Sequence, residues 1–354
     1  MTSAPFARVS LRQGRWYVAT LLLLILPFAV EWWLGRGWVR ILDFALLSVM
    51  LAIGLNIVVG YAGLLDLGFI AFFGVGAYCY ALLASPQFDL HWPLWVVLPL
   101  GALVAASFGA ALGWPTLGLK GDYLAIVTMG FGEIIRIFLN NLNAPVNITN
   151  GPQGITMIDS LRLGDWSFAR PHTLAGVKIG SLVGTYYLFL LFVILALILS
   201  HRLEYSRLGR AWAAIREDEI AAASMGLDTR RLKLLAFAMG ASFGGLSGGL
   251  FAGFQGFVSP ESFTLQESVM ILCMVVLGGM GNLRGVVSGA LLLAFLPELL
   301  RPVGVWQQRW LGQVWIDPST LRLFLFGVAL VLLMRWRPEG VWPSRARARE
   351  WHRS

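Results

Sequence analysis

Apolar residues fall in long runs separated by short polar stretches. About 20 of them in a helix, at 1.5 Å rise each, cover the roughly 30 Å hydrocarbon core of a bilayer. Such runs lie near residues 16–34, 40–59, 67–85, 93–113, 122–139, 184–200, 233–254, 267–278, 285–300 and 320–335, and the eighth is too short to cross alone. The pattern predicts an all-α polytopic integral membrane protein of about ten transmembrane segments. One transmembrane domain over 1–354 would contain a cytoplasmic loop, 201–232, and an external loop, 140–183. Arg8, Arg12 and Arg15 precede the first run, no small-x-small site follows it, and Glu31-Trp32-Trp33 leads into the next. The first run therefore reads as a retained helix and not as a cleaved export signal.

Composition supports lipid as the solvent. The chain is 57% apolar and 13% charged, against about a quarter charged in soluble domains. Its basic residues also have an order. Arg8, Arg12 and Arg15, Lys120, the cluster Arg202, Arg207, Arg210, Arg216, Arg230, Arg231 and Lys233, and Arg335, Arg337, Arg345, Arg347, Arg349 and Arg353 fall on one side if the short eighth run crosses. By the positive-inside rule that side is cytoplasmic, and so are both termini. The net charge of +8 then belongs to a cytoplasmic rim, with no nucleic acid needed to explain it.

Chemistry-bearing motifs are sparse. Cys79 and Cys273 stand singly inside apolar runs, and His91, His172, His201 and His352 are scattered outside them. There is no phosphate-binding loop, HExxH or GxSxG elbow, hence no case for catalysis or for a metal site. If the chain moves a solute, energy must come from a gradient or from another subunit.

Polar residues within the runs are the candidates for a translocation path, because ionisable groups cost at least about 2.5 kcal/mol at mid-helix. Glu133 and Arg136, at i and i+3, form either a structural ion pair or the outer mouth of that path, and Asn56 and Asp66 join them as candidates. Asp43 and Glu31 sit near run ends, where water is expected to reach them. In the seventh run Ala236, Gly240, Gly244, Gly248, Ala252 and Gly256 recur every four residues beside a second row, Ala241, Gly245, Gly249 and Gly253. Residues at i and i+4 share a helix face, so another helix can approach this stripe closely, either within the chain or across a subunit seam or pathway. The break GGMGNLRG, Gly278 to Gly285, must be buried in protein, face a water cavity or emerge at the surface, and with this topology it is expected to emerge on the cytoplasmic side.

Two loops stand out. LNNLNAPVNITNGPQGI, in the 140–183 segment, favours turns over regular elements and suits a small external cap. The island from Gly209 to Arg231 is charged and small-residue-rich: Arg216, Glu217, Asp218 and Glu219, then Ile220 to Ser224, with Gly226 as a helix stop. A short amphipathic helix is expected there, and at this length it is more than a plain solvated connection.

The island resembles the coupling loop of ABC importer permeases. Ala221 and Ala222 stand correctly before Gly226, whereas Ile220 takes the acidic place and Glu219 comes one residue early. The blocks GYAGLLDLGFIAFFGVGAY (Gly60 to Tyr78), GLKGDYLAIVTMGFGEIIRIFLNN (Gly118 to Asn141), GFVSPESF (Gly256 to Phe263) and VVLGGMGNLRGVVSGA (Val275 to Ala290) are similar to the LivM-type permease of branched-chain amino-acid ABC importers. This resemblance implies a non-enzymatic permease of a bacterial cytoplasmic membrane that carries Leu, Ile and Val inward by alternating access. It implies four kinds of partner: a second homologous permease, two cytoplasmic ATPases, a periplasmic or lipid-anchored amino-acid-binding protein, and the lipid bilayer. ATP and Mg would be bound by the ATPases, with no cofactor in this chain. Contacts with them would come from Arg216, Glu217, Asp218, Glu219, Ala221, Ala222 and Gly226. A urea or short-amide permease shares the framework, and a stand-alone secondary transporter is the alternative of a different class. The latter calls for several mid-run carboxylates, and a membrane enzyme for a cluster of His, Asp or Glu; neither pattern is present.

Overall fold

The computed structural model of the chain describes residues 23–119, 121–144, 146–164, 166–168, 170–174, 177–311, 318–336 and 340–342. Arg8, Arg12, Arg15, Lys120, Arg337, Arg345, Arg347, Arg349, Arg353 and His352 lie outside the described residues. Each apolar run is a helix: α1 (Leu23–Leu34), α2 (Arg36–Leu55), α3 (Ile70–Leu83), α4 (Leu94–Thr116), α5 (Asp122–Asn141), α6 (Ser181–Glu204), α9 (Thr229–Gln255), α10 (Leu265–Gly278), α11 (Leu283–Leu311) and α12 (Pro318–Trp336). The 201–232 island contributes two more, α7 (Arg207–Glu217) and α8 (Glu219–Ser224).

Among the described residues, six helical segments are long and apolar enough to cross a membrane: Arg36–Tyr61, Leu94–Thr116, Ser181–Glu204, Thr229–Gln255, Pro260–Gly278 and Leu283–Pro302. The eighth run gains length from a 3-10 turn at Pro260–Ser262 that extends it to 19 residues. The third loses length instead. Residues 62–69 are unwound, which leaves α3 with 14 residues. Just before them α2 ends in a π-helical turn, Asn56–Tyr61, so the α2–α3 pair is interrupted.

The 140–183 loop is more regular than its turn-rich composition suggests. Ile155–Thr156 pairs antiparallel with Phe257–Val258 beyond α9, and two hairpins follow, Arg162–Leu163 with Trp166–Ser167 and His172–Leu174 with Val177–Ile179. Gly154, at φ 71°, makes the first pairing possible: a Cβ there would lie 2.3 Å from the Val258 carbonyl. The cap is thereby fastened to the end of α9 that lies away from α7 and α8.

Helix α9 is the centre of the bundle, and its glycine rows show why. Gly240 faces Val58 and Gly244 faces Phe72, while a Cβ on Gly248 would meet the Phe73 carbonyl at 2.0 Å. The second row faces α4: a Cβ on Gly245 would lie 2.4 Å from Ala105, and one on Gly249 would lie 2.7 Å from Leu98. Gly76 and Gly245 touch backbone to backbone. The stripe is therefore intrachain packing, two rows seating two different neighbours. Helix association in lipid lacks a hydrophobic driving force, so this close approach supplies the dispersion that holds α3 and α4 to α9.

Asp43 departs from expectation. It is fully buried, and neither carboxylate oxygen has a hydrogen-bond partner among the described residues. The residue lies seven positions inside α2, where α6 and α9 pack around the helix and exclude the water that a free run end would admit. Glu31 remains partly accessible and pairs with Arg36 at 3.3 Å.

Three alanine substitutions rank the packing. Gly248→Ala forces two backbones apart and is expected to cost about 3 kcal/mol or more, at the upper end of overpacking penalties. Gly244→Ala meets Phe72 Cβ at 3.2 Å and is expected to cost less. Gly130→Ala, with open space around its Cβ position, is expected to gain up to about 1 kcal/mol from helix propensity. Thermal unfolding and yield of the detergent-solubilised protein check this order; a Gly248→Ala protein as stable as the parent refutes it.

Candidate functional site

The island folds as two short helices, not one. Ser206 caps α7 by accepting from the Gly209 amide at 3.2 Å, and Gly209 is packed so tightly that a Cβ would lie 2.3 Å from two carbonyls of the preceding turn. Asp218 then breaks the run. Its backbone is extended (φ −153°, ψ 111°), and its carboxylate accepts from the amides of Ile220 and Ala221 at 2.8 and 3.1 Å. A side chain that caps a following helix so well ends the preceding one. Gly226, at φ 86°, stops α8 as the sequence indicates, with the Leu227 amide bonded back to Ala222.

This unit is fixed to the bundle on its inner face. Trp212 is fully buried, and its indole N–H donates to the Leu232 carbonyl at 2.7 Å. Lys233, only 5% exposed, forms an ion pair with Glu219 and donates to the Leu117 carbonyl at the end of α4. Ala222 is buried as well. The outer face is different in kind: Ile220 and Met225 are 73% and 84% exposed, flanked by Ala221, Ala223, Glu217 and Asp218. This face is thus an apolar knob with an acidic edge on a charged loop. Of the seven docking residues expected, Glu217, Asp218, Ala221 and Gly226 lie on that surface, while Glu219 and Ala222 turn inward.

The seventh, Arg216, reaches away from this outer face. Its Nη1 donates to the Gly60 carbonyl at 2.6 Å, in the π-helical turn of α2, and its stem lies where a Cβ on Gly63 would stand 2.5 Å away. Across the same turn, Asn56 Oδ1 accepts the Gly281 amide at 2.8 Å. A Cβ on Gly60 would strike Asn56 at 2.0 Å and the Gly281 nitrogen at 2.6 Å. Gly281 belongs to the GGMGNLRG break between α10 and α11. The knot thus joins α7, the interrupted α2–α3 pair and the interrupted α10–α11 pair, and it is the buried solution for the break's irregular backbone.

The other expected path residues are not gathered at this knot. Asp66 is fully buried in the 62–69 break, where its Oδ1 accepts the Gly68 amide at 2.8 Å; Thr128 of α5 accepts the Leu67 amide at 3.0 Å. A Cβ on Gly68 would lie 2.1 Å from the Thr128 carbonyl, and Gly132 faces Gly68 in turn, so α5 lies directly on the break. Glu133 and Arg136 follow on the same helix. Arg136 Nε donates to both Glu133 oxygens at 3.0 and 3.1 Å, and its Nη1 lies 3.5 Å from Glu261. The pair is therefore an ion pair with a third member, supplied by the GFVSPESF segment near the cap.

Glu261, Trp212 and the glycines at 60, 63 and 281 carry roles that spacing alone does not reveal. Their partners are distant in sequence, although each glycine lies in a conspicuous glycine-rich block. His91 is a further such case. Between α3 and α4 it binds Asp159 of the cap through Nδ1 and lies 3.3 Å from Asp89 through Nε2, beside an open cavity of about 450 Å³ lined by Tyr80, Trp92 and Arg162. The hydrogen bond and charge of Asp159, aided by Asp89, raise the His91 pKa above the ordinary imidazole value.

Long apolar helices, two interrupted pairs and a charged loop anchored to the bundle are the architecture of a polytopic membrane permease. The chain matches the family described as the branched-chain amino acid transport system permease component over residues 37–334, and it belongs to that family. It is 43% identical to the high-affinity branched-chain amino acid transport system permease protein LivM of Escherichia coli K12, over 91% of this chain and 73% of that protein. The probable LivM of Methanocaldococcus jannaschii is 27% identical over 70% of this chain and 69% of its own length. The LivH permease of Escherichia coli K12 is 28% identical over 71% and 80% respectively. No solved structure matches the chain significantly.

The His91 contact makes the cap pH-sensitive. A raised folded-state pKa means that the stabilisation is complete below about pH 6.5 and is lost as pH rises through the raised value. Amide hydrogen exchange in residues 84–93 and 157–163, compared at pH-corrected times, is expected to accelerate as pH rises above about 6.5, and Asp159→Asn should abolish the difference. Equal protection across that range in the parent protein would refute the latch.

Proposed function

We propose that this chain is a permease subunit of an ATP-driven importer that carries branched-chain amino acids across the bacterial cytoplasmic membrane. It would do so by alternating access within a complex of two homologous permeases, two ATPases and an external binding protein. The observation that carries the reading is the 43% identity to a LivM permease across nine-tenths of the chain. The Ile220–Met225 knob supports it by offering an ATPase a rigid apolar contact. Under this proposal all ten apolar helices are membrane segments, including those too short or too charged to be recognised singly. The α7–α8 face and both termini are cytoplasmic, and the cap meets the binding protein. Bond chemistry stays with the ATPases, which hold ATP and Mg; this chain supplies the path. Asn56, Asp66, Glu133 and Arg136 remain its path candidates, because each is polar and sits at an interrupted helix or on the helix that covers one.

Co-expression with a homologous permease, an ATPase pair and a binding protein, followed by uptake of radiolabelled leucine and urea, tests the assignment. ATP-dependent leucine uptake without urea uptake is expected, with the ATPase co-purifying. Ile220→Asp should weaken ATPase retention by about tenfold or more, as loss of a docking hot spot does, while the melting temperature of the isolated permease stays within about 2 °C. Leucine uptake that persists without any ATPase would overturn the proposal.

A further inference from the structure

We propose that Arg216 is a positioning residue for transport: a strut that makes the docking unit and the two interrupted helix pairs move as one body. The inference rests on the reading of α7–α8 as an ATPase docking unit. The other anchors of that unit, Trp212 to Leu232 and Glu219 to Lys233, reach the start of α9, which the chain already joins to α8 by four residues. Arg216 instead reaches Gly60, 156 positions away in sequence. Its acceptor lies in the π-helical turn, and the next link, Asn56 to the Gly281 amide, passes the contact to the α10–α11 break. A push on α7 is therefore delivered to two places where the membrane helices are already interrupted and free of continuous i to i−4 bonding.

The local chemistry suits a strut more than a docking contact. A guanidinium is planar and always charged, and a hydrogen bond from a charged donor to a carbonyl is shorter and stronger than a neutral one. Side chains are removed wherever they would intervene. Gly63, at φ 70°, leaves room for the arginine stem, Gly60 leaves room for Asn56, and Gly281, at φ 81°, keeps its Cβ position 3.4 Å from Arg216 Nη1. Were Arg216 a surface docking residue, Gly63 would not need to be bare to admit its stem.

The experiment uses the whole complex in proteoliposomes and counts leucine imported per ATP hydrolysed. Arg216→Gln is expected to assemble and hydrolyse ATP, yet to import about tenfold or more less leucine per ATP, the scale set by one hydrogen bond to a charged group. Arg216→Lys should recover part of the loss, since an ammonium can still donate to one carbonyl. Asn56→Ala should show the same deficit, and the double variant should be no worse than either single one, because both remove one linkage. Nitroxides at exposed Ala213 and Arg284 add a readout that a purely structural role would leave unmoved. Their separation should stay constant through the nucleotide cycle in the parent complex and vary in Arg216→Gln. Unchanged leucine per ATP in Arg216→Gln overturns the strut, as does loss of hydrolysis and import in equal proportion. A parent complex that imports no leucine, or retains no ATPase, overturns the importer assignment instead.

Discussion

In hydrocarbon no water completes an unpaired backbone, so each interruption of a membrane helix must be repaired from within the protein. This constraint organises the molecule. The α2–α3 pair is interrupted over residues 56–69, and several backbone groups of that interruption find side-chain partners, two from other elements and one from within the break. Gly60 is repaired by Arg216, Leu67 by Thr128 and Gly68 by Asp66, while Asn56 serves the Gly281 amide in the second break. Asn56, Asp66 and Thr128 are thus each engaged with backbone. A path residue need not be idle in the resting structure; it can be one whose backbone partner changes when the helices shift.

The glycine rows of α9 belong to the same logic. Broken helices can be repaired by distant groups only if neighbouring backbones lie close, and α9 provides that closeness on two sides, against α3 and against α4. Its contact with Val58, just before Gly60, brings α9 within reach of the π-helical turn itself. Packing and hydrogen bonding are therefore not separate contributions here. Gly240, against Val58, packs directly on the turn whose carbonyl Arg216 holds.

Much of this was legible in the sequence, because hydrophobic length and small-residue periodicity are local signals. The apolar runs gave the places of the bundle helices, six of them long and apolar enough to cross a membrane among the described residues, the rows at Gly240, Gly244, Gly248, Gly245 and Gly249 gave a packing face, and Gly226 gave a helix end. What escaped was set by partners far away in the chain. Asp43 looked accessible because position along one helix says nothing about what packs around it. The strand pairing of Ile155 with Val258 joins segments a hundred residues apart, so a turn-rich composition concealed it. Arg216 looked like its neighbours Glu217 and Asp218 in a charged loop, and only the fold separates a residue turned inward from those left outside.

The break at Asp218 has the largest consequence of these. A six-residue helix has no stability of its own, since nucleation is unfavourable and few hydrogen bonds follow it. What holds α8 in place is Asp218 at its start, Gly226 beyond its end, Ala222 beneath it and the Glu219–Lys233 ion pair. Lys233 also donates to the end of α4, so the helix that presents Ile220 is ordered by the same residue that joins α9 to α4. A partner that grips α8 therefore acts on an element whose folding is already linked to the bundle, and a shift between α4 and α9 would alter the surface it grips. The coupling is reciprocal: whatever docking does to the membrane helices, those helices do to docking.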